Sequence, residues 1–265
     1  MSAKRIFAIV LRQLFLLRKN LTRFINIFVW STLDVVVWGF ITRYLNRVGE
    51  ADFNFIPVFL GAAILWNFLV RIQQGIILPF FEDMWSRNFL NLFASPLKVH
   101  EYMAGLIVTS VLTSMAGFAA MLAFASLFFD YQLFSIGGPL LLFIFLLFVF
   151  GFSLGMLTIA FVLRFGPSAE WFGWVVPWLL SPFSGVFYPI ATLPEQMQYL
   201  SRFVPPSYVF EGLRGLLLNR TFLSEPLFAG LAISGVYLVA AYLVFIAVFK
   251  TVVKKGLFVR LTAEM

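Results

Sequence analysis

The sequence predicts an all-α polytopic membrane protein, and three observations carry that reading. Mean hydropathy is +0.96, and 62% of residues are hydrophobic against 12% charged, which leaves too little polar surface to cover a water-solvated core. Six apolar stretches, at 24–40, 55–78, 103–129, 139–163, 171–190 and 227–249, each approach the ~20 residues that a ~30 Å hydrocarbon core requires. The connections between them are short, so residues 1–265 read as one transmembrane unit with no room for a separate catalytic domain.

The first element, within 1–23, is an interfacial amphipathic helix over 4–19. Arg5, Arg12 and Lys19 recur every seven residues on one face, while Ile6, Phe7, Val10, Leu14 and Leu17 form the other, the pattern of an anchor lying on the membrane surface. Arg12 interrupts the apolar run and no small-residue cleavage site follows, so this segment is not expected to be a cleaved signal. The first span follows, then a short mixed-charge loop at 41–54, then the second span.

Residues 79–102 form the longest connection on their side of the membrane. Glu82, Asp83, Arg87 and Asn88 are set among Trp85, Phe89 and Phe93, with Pro79 and Pro96 punctuating the ends, so a helix over 80–94 is expected. Its charged residues are expected to face a soluble partner, with Trp85, Phe89 and Phe93 turned to the bundle. Residues 171–226 carry seven prolines, from Pro177 to Pro226. Prolines break the backbone ladder, and non-helical backbone at membrane depth survives only where protein or a cavity covers it. The expectation is a fifth span followed by re-entrant helices within 190–226, then the last span.

Charge assigns orientation. With both termini cytoplasmic, 13 of the 19 Lys and Arg fall in inside segments, five (Arg43, Arg47, Arg202, Arg214, Arg220) fall outside, and Arg71 lies within a span. The positive-inside rule favours this arrangement. Basic residues cluster at span ends rather than in a stripe with interleaved aromatics, which argues against nucleic acid despite the net charge of +7. Cysteine is absent, which excludes disulfides and thiolate chemistry.

Few residues offer intramembrane chemistry. Asp34, mid-way along the first span, costs about 2.5 to 3.5 kcal/mol to insert unless paired, and Arg71 in the second span is its natural partner. Counted from the inside ends of these spans, Asp34 lies about 15 Å deep and Arg71 about 10 Å, an offset that a long arginine can bridge. A structural clamp and a substrate contact are both open for this pair. Glu211 and Arg214, three apart on an external helix, can form a local salt bridge or an external gate. Gly151-Phe152-Ser153-Leu154-Gly155 spells the nucleophile elbow G-x-S-x-G, but it lies inside an apolar helix, and the single histidine, His100, belongs to a loop on one side. Close helix packing through Gly151 and Gly155 is the better reading. His100 has no imidazole companion with which to build a metal site. Asn219-Arg220-Thr221 fits a glycosylation sequon.

The order of these elements, with NLFASPLKVHEYMAG at 91–105 and SPFSGVFYPIATLPEQMQYLSRFVPPSYVFEGLRGLL at 181–217, resembles the permeases of type-2 ABC exporters. The second run is the more specific, because its proline spacing and Glu211-Gly212-Leu213-Arg214 recur together in that family. The resemblance implies a six-helix permease domain in the plasma (inner) membrane. It makes 79–102 a cytoplasmic coupling helix in which Glu82, Asp83, Trp85, Arg87 and Phe89 meet an ATP-binding cassette subunit. That subunit would bind ATP and Mg and supply the energy, and a second permease copy would complete a homodimer. The implied cargo is amphipathic: lipids, glycolipids or polysaccharides, or drugs. The family often carries a Gly-Thr-Leu-Glu type run where this chain has Asn88-Phe89-Leu90-Asn91. No Gly is followed by Lys anywhere, so the chain lacks the phosphate-cradling G-x-x-x-x-G-K-[ST] loop. An ion-coupled carrier would call for several intramembrane acids, and Asp34 is nearly alone. An intramembrane enzyme would need a polar cluster around one cavity, which the sparse polar inventory argues against.

Overall fold

The computed structural model describes residues 2–48, 55–219 and 224–256. Among these, every regular element is helical: α1 (Ala3–Lys19), α2 (Leu21–Val48), α3 (Phe55–Trp85), α4 (Phe89–Ala94), α5 (Val99–Phe129), α6 (Pro139–Phe165), α7 (Trp171–Ser184), α8 (Glu195–Ser201), α9 (Pro206–Asn219) and α10 (Ser224–Lys254), with short 3-10 turns between some of them.

Five of these helices, α2, α3, α5, α6 and α10, are long and apolar enough to cross a bilayer. The fifth expected span, 171–190, is the 14-residue α7, which at 1.5 Å per residue rises about 21 Å, short of a full crossing. Its chain continues as irregular backbone: Trp38 of α2 stacks on Phe187 at 4.0 Å. Pro177 and Pro182 lie inside α7, and Gly185 ends it in the left-handed region at φ +62°, where a Cβ would press on Ile190 and the Arg214 guanidinium.

Pairwise contacts fix the directions. Ser110 of α5 donates to the Ile72 carbonyl of α3 at 2.7 Å, while near the far end Tyr131 donates to the Pro57 carbonyl at 3.2 Å, so α3 and α5 are antiparallel. Gly151 and Gly155 of α6 lie against Ile72 and Ile76 of α3, so α3 and α6 are parallel. Phe150 meets Tyr237 at 5.5 Å, which sets α10 alongside α6. Phe249 of α10 meets Phe93 of α4 at 5.4 Å, so Ser2 and Gly256 lie at one end of the bundle, here termed proximal, with α1, α4 and the α6–α7 turn. The α5–α6 turn, α8 and α9 lie at the distal end.

The central helix is α3, whose most apolar stretch is 72% buried, against 18% for α2 and 17% for α10. Two apolar clusters fill the bundle. One, around Phe68, Phe143, Phe150 and Phe210, lies distally; the other, around Phe81, Tyr102, Ile159 and Phe245, lies proximally. A Cβ at Gly151 would stand 2.8 Å from the Ile72 side chain, and one at Gly155 would stand 3.1 Å from Ile76. Glycine is needed there for helix contact, and the Ser153 hydroxyl is spent on its own helix, donating to the Val149 carbonyl at 2.8 Å. Of the sequon, residues 220 and 221 lie outside the described residues.

The helix expected over 80–94 is divided. α3 continues through Pro79 to Trp85, a turn follows with Arg87 at φ 55°, and only Phe89–Ala94 re-forms a helix. Pro79 removes one ladder bond, but Phe80, Phe81 and Met84 beyond it are buried, and that packing carries the helix through.

Candidate functional site

At the proximal end, three arginines from the first 23 residues meet three acids from the α3–α5 connection. Arg12 of α1 clasps both Asp83 oxygens. Arg23, at the start of α2, pairs with Glu82, its Nε donating to Oε1 at 2.6 Å. Arg5 donates to Glu101 at 3.2 Å and to the Pro96 carbonyl at 2.6 Å. The acids are otherwise well held. Asp83, 1% exposed, accepts from the Tyr102 hydroxyl at 2.8 Å and from Asn88 at 3.3 Å. Glu101 accepts from the backbone N–H groups of Ser2 at 2.7 Å and Lys98 at 3.1 Å. The Asp83 carboxylate raises the Arg12 pKa above its ordinary value, against a lowering by burial.

This geometry differs from the expected division of faces. Asp83 points inward and Glu82 turns to α2, because each has an arginine to neutralise it at the end of a packed bundle. Trp85, expected to face inward, is 48% exposed and donates its indole N–H to Glu170 at 2.7 Å; burial raises the Glu170 pKa, and that bond opposes the rise. Phe89 is buried, its ring tilted against Phe80 at 4.9 Å. Of the expected charged contacts only Arg87 is exposed.

α1 is likewise turned over. Arg5 and Arg12 face the bundle with Ile9 and Gln13, and Ile9 packs on Gly105 of α5. Phe7, Leu11, Leu14 and Phe15 are exposed, an apolar stripe at helical spacing, and Lys19 is exposed at the end of the helix.

Asp34 and Arg71 come to matching depth. Measured from the observed proximal ends of α2 and α3, they lie about 20 and about 21 Å along their helices, because α3 runs on to Trp85. Arg71 Nε donates to Ser31 of α2 at 2.7 Å, the Asn67 amide donates to the Ala63 carbonyl of its own helix at 3.0 Å, and Asp34 is exposed on α2.

At the distal end, Arg214 donates to Glu211 at 2.8 Å and to the Val186 carbonyl at 3.4 Å, while Glu211 also accepts from the Ile190 N–H at 2.7 Å. The pair therefore ties α9 to the segment after α7. It borders a cavity of about 570 Å³ between α8, α9 and the start of α10. Among the described residues, no cluster of three metal-ligating side chains occurs.

Five long apolar helices packed around a buried α3 and cross-linked at the proximal end define a polytopic helical membrane protein. Residues 5–218 match the family described as ABC-2 type transporter, and the chain belongs to that family. Inner membrane transport permeases YadH of Escherichia coli K12 and of Shigella flexneri are each 24% identical to it over 239 residues, covering 85% of this chain and 90% of theirs.

Proposed function

We propose that the chain is the membrane-spanning subunit of an ATP-driven exporter in the inner membrane, working as a pair of permease copies, each with a separate ATP-binding subunit beneath it. In this reading the proximal end is cytoplasmic, both termini are inside, and the cargo is amphipathic. The family membership and the relatives' description as inner membrane permeases support it, as does the 13 to 5 charge asymmetry. The single observation that carries the coupling role is the set of three ion pairs, which joins the 79–102 segment to α1 and α2.

Force applied at Arg87 and α4 would reach α3 directly, and it would reach α1 and α2 through Asp83–Arg12 and Glu82–Arg23. Glu82, Asp83 and Phe89 then act as transmitters inside the permease, and Arg87 and Trp85 as the surface offered to the ATPase. The first two spans move as a unit if Asp34, Ser31 and Arg71 hold α2 to α3. In this reading the distal pair Glu211–Arg214, which ties α9 to the segment after α7 beside the cavity, serves as the external gate.

The test is transport by the permease with its ATPase in sealed vesicles, with ATP or an ion gradient as the only energy source. ATP-dependent, vanadate-sensitive movement that Arg87→Glu abolishes, with the variant still inserted, is the expected result. Transport driven by the gradient alone would replace this reading with an ion-coupled carrier.

A further inference from the structure

A second cavity, of about 290 Å³, lies at the proximal end between α1, α2, α3 and α5, with Trp174 of α7 at its edge. Its wall is mixed. Leu17, Ile27 and Leu78 are apolar, Gln13, Arg23 and Arg71 bring hydrogen-bond donors, and the one acid of the lining, Glu82, is paired with Arg23. Gln13 is the informative residue, being 1% exposed. Its Oε1 accepts from Arg23 at 3.0 Å, which fixes which end of the amide is oxygen, since a guanidinium can only donate. The amide Nε2 is then buried with no partner, and an unmet buried donor costs stability unless something accepts from it.

The surroundings say what accepts. Arg23 and Arg71 against the single acid Glu82 leave the lining net positive, and Arg18 and Lys19 are exposed at the end of the same helix, α1. The exposed stripe Phe7, Leu11, Leu14 and Phe15 runs along the same helix, and Trp85 and Trp174 are half-exposed at the cavity edge. Aromatic and basic rims of this kind occur where hydrocarbon meets headgroups. We infer that this cavity binds the headgroup of an anionic membrane lipid, a phosphodiester accepting from the Gln13 amide, with the acyl chains left outside along the apolar face of α1. The volume suits a headgroup and excludes a whole lipid. This inference goes beyond the exporter reading and holds whether the lipid is cargo or a resident ligand.

Native mass spectrometry of the full chain, released from micelles containing equal phosphatidylglycerol and diacylglycerol, which has the same acyl chains and no phosphodiester, tests it without ATP or the ATPase. The expected result is about tenfold preferential retention of phosphatidylglycerol, the scale of one charge-assisted hydrogen bond. Gln13→Glu keeps the acceptor for Arg23 but removes the donor and adds repulsion, and it should abolish the preference. The surface double variant Arg18→Gln with Lys19→Gln, which leaves every buried contact in place, should reduce it several-fold. Equal retention of the two lipids, a preference unchanged in the surface variant, or displacement by inorganic phosphate alone would overturn the assignment. Failure of vesicle transport with the lipid preference intact would remove the exporter reading and leave this site.

Discussion

The two ends of this bundle are held in different ways. The distal end is closed by apolar packing around Phe68, Phe143 and Phe210, and its ion pair, Glu211–Arg214, lies within one helical turn. The proximal end is tied by ion pairs whose partners are 96, 71 and 59 residues apart. Apolar packing is non-directional and tolerates sliding, whereas a bidentate, hydrogen-bonded charge pair fixes one geometry. In the proposed reading, the end that passes on a displacement is wired by ion pairs between distant segments, and the end that opens has only the local pair with its bonds to the Ile190 N–H and the Val186 carbonyl.

The largest break in this contrast should come from Asp83→Ala. It strands Arg12 and the Tyr102 hydroxyl at a nearly closed site, and removing one member of a buried pair costs about 3–5 kcal/mol. Thermal unfolding in detergent should show that loss; a shift no greater than for an exposed surface variant would mean that the proximal wiring contributes little. Charge reversal at Asp83 therefore reports on stability, and docking must be read from Arg87.

Glu211→Ala at the distal end should cost less, about 1–3 kcal/mol, because Arg214 keeps the Val186 carbonyl while the Ile190 N–H loses its partner. If it proved as damaging as Asp83→Ala in the same assay, the two ends would be equivalent and the contrast lost.

Gly151→Ala, in the helix that joins the two ends, should cost about 1–3 kcal/mol through overlap with Ile72. Ser153→Ala should stay within about 1 kcal/mol, since it loses only a bond to its own helix. The reverse order, measured by urea titration, would return Ser153 to consideration as a reactive group. Arg87→Glu should have the smallest effect on stability, within about 0.5 kcal/mol as for surface substitutions, while abolishing ATP-driven transport.

The helical class, the long apolar helices and the existence of a helix before the first span were legible because they rest on local periodicity. Where α1 turns its two faces was not. Arg5 and Arg12 read as the basic face of a surface anchor because their partners, Glu101 and Asp83, are distant in sequence and leave no local signal. The same holds for Asp83 and Glu82, whose charge reads as surface until an arginine is brought to each. The matched acids and bases at the two ends of the 1–102 region were a signal that could have suggested it. Pro79 misled because proline ends a helix in isolation, and buried packing beyond it overrode that tendency. The 14-residue α7 replaced a full span because Pro177, Pro182 and Gly185 act together.

The central claim, that the wired end is the cytoplasmic, ATPase-bearing one and the packed end faces out, can be tested most directly with single cysteines in this cysteine-free chain. Arg87→Cys and Tyr199→Cys both place a thiol at an exposed position, one at each end. In intact cells an impermeant thiol reagent should label Tyr199→Cys and leave Arg87→Cys untouched. In opened membranes Arg87→Cys should react, and it should be protected when the ATPase subunit is bound. Labelling of Arg87→Cys from outside intact cells, or no protection by the ATPase, would contradict the account.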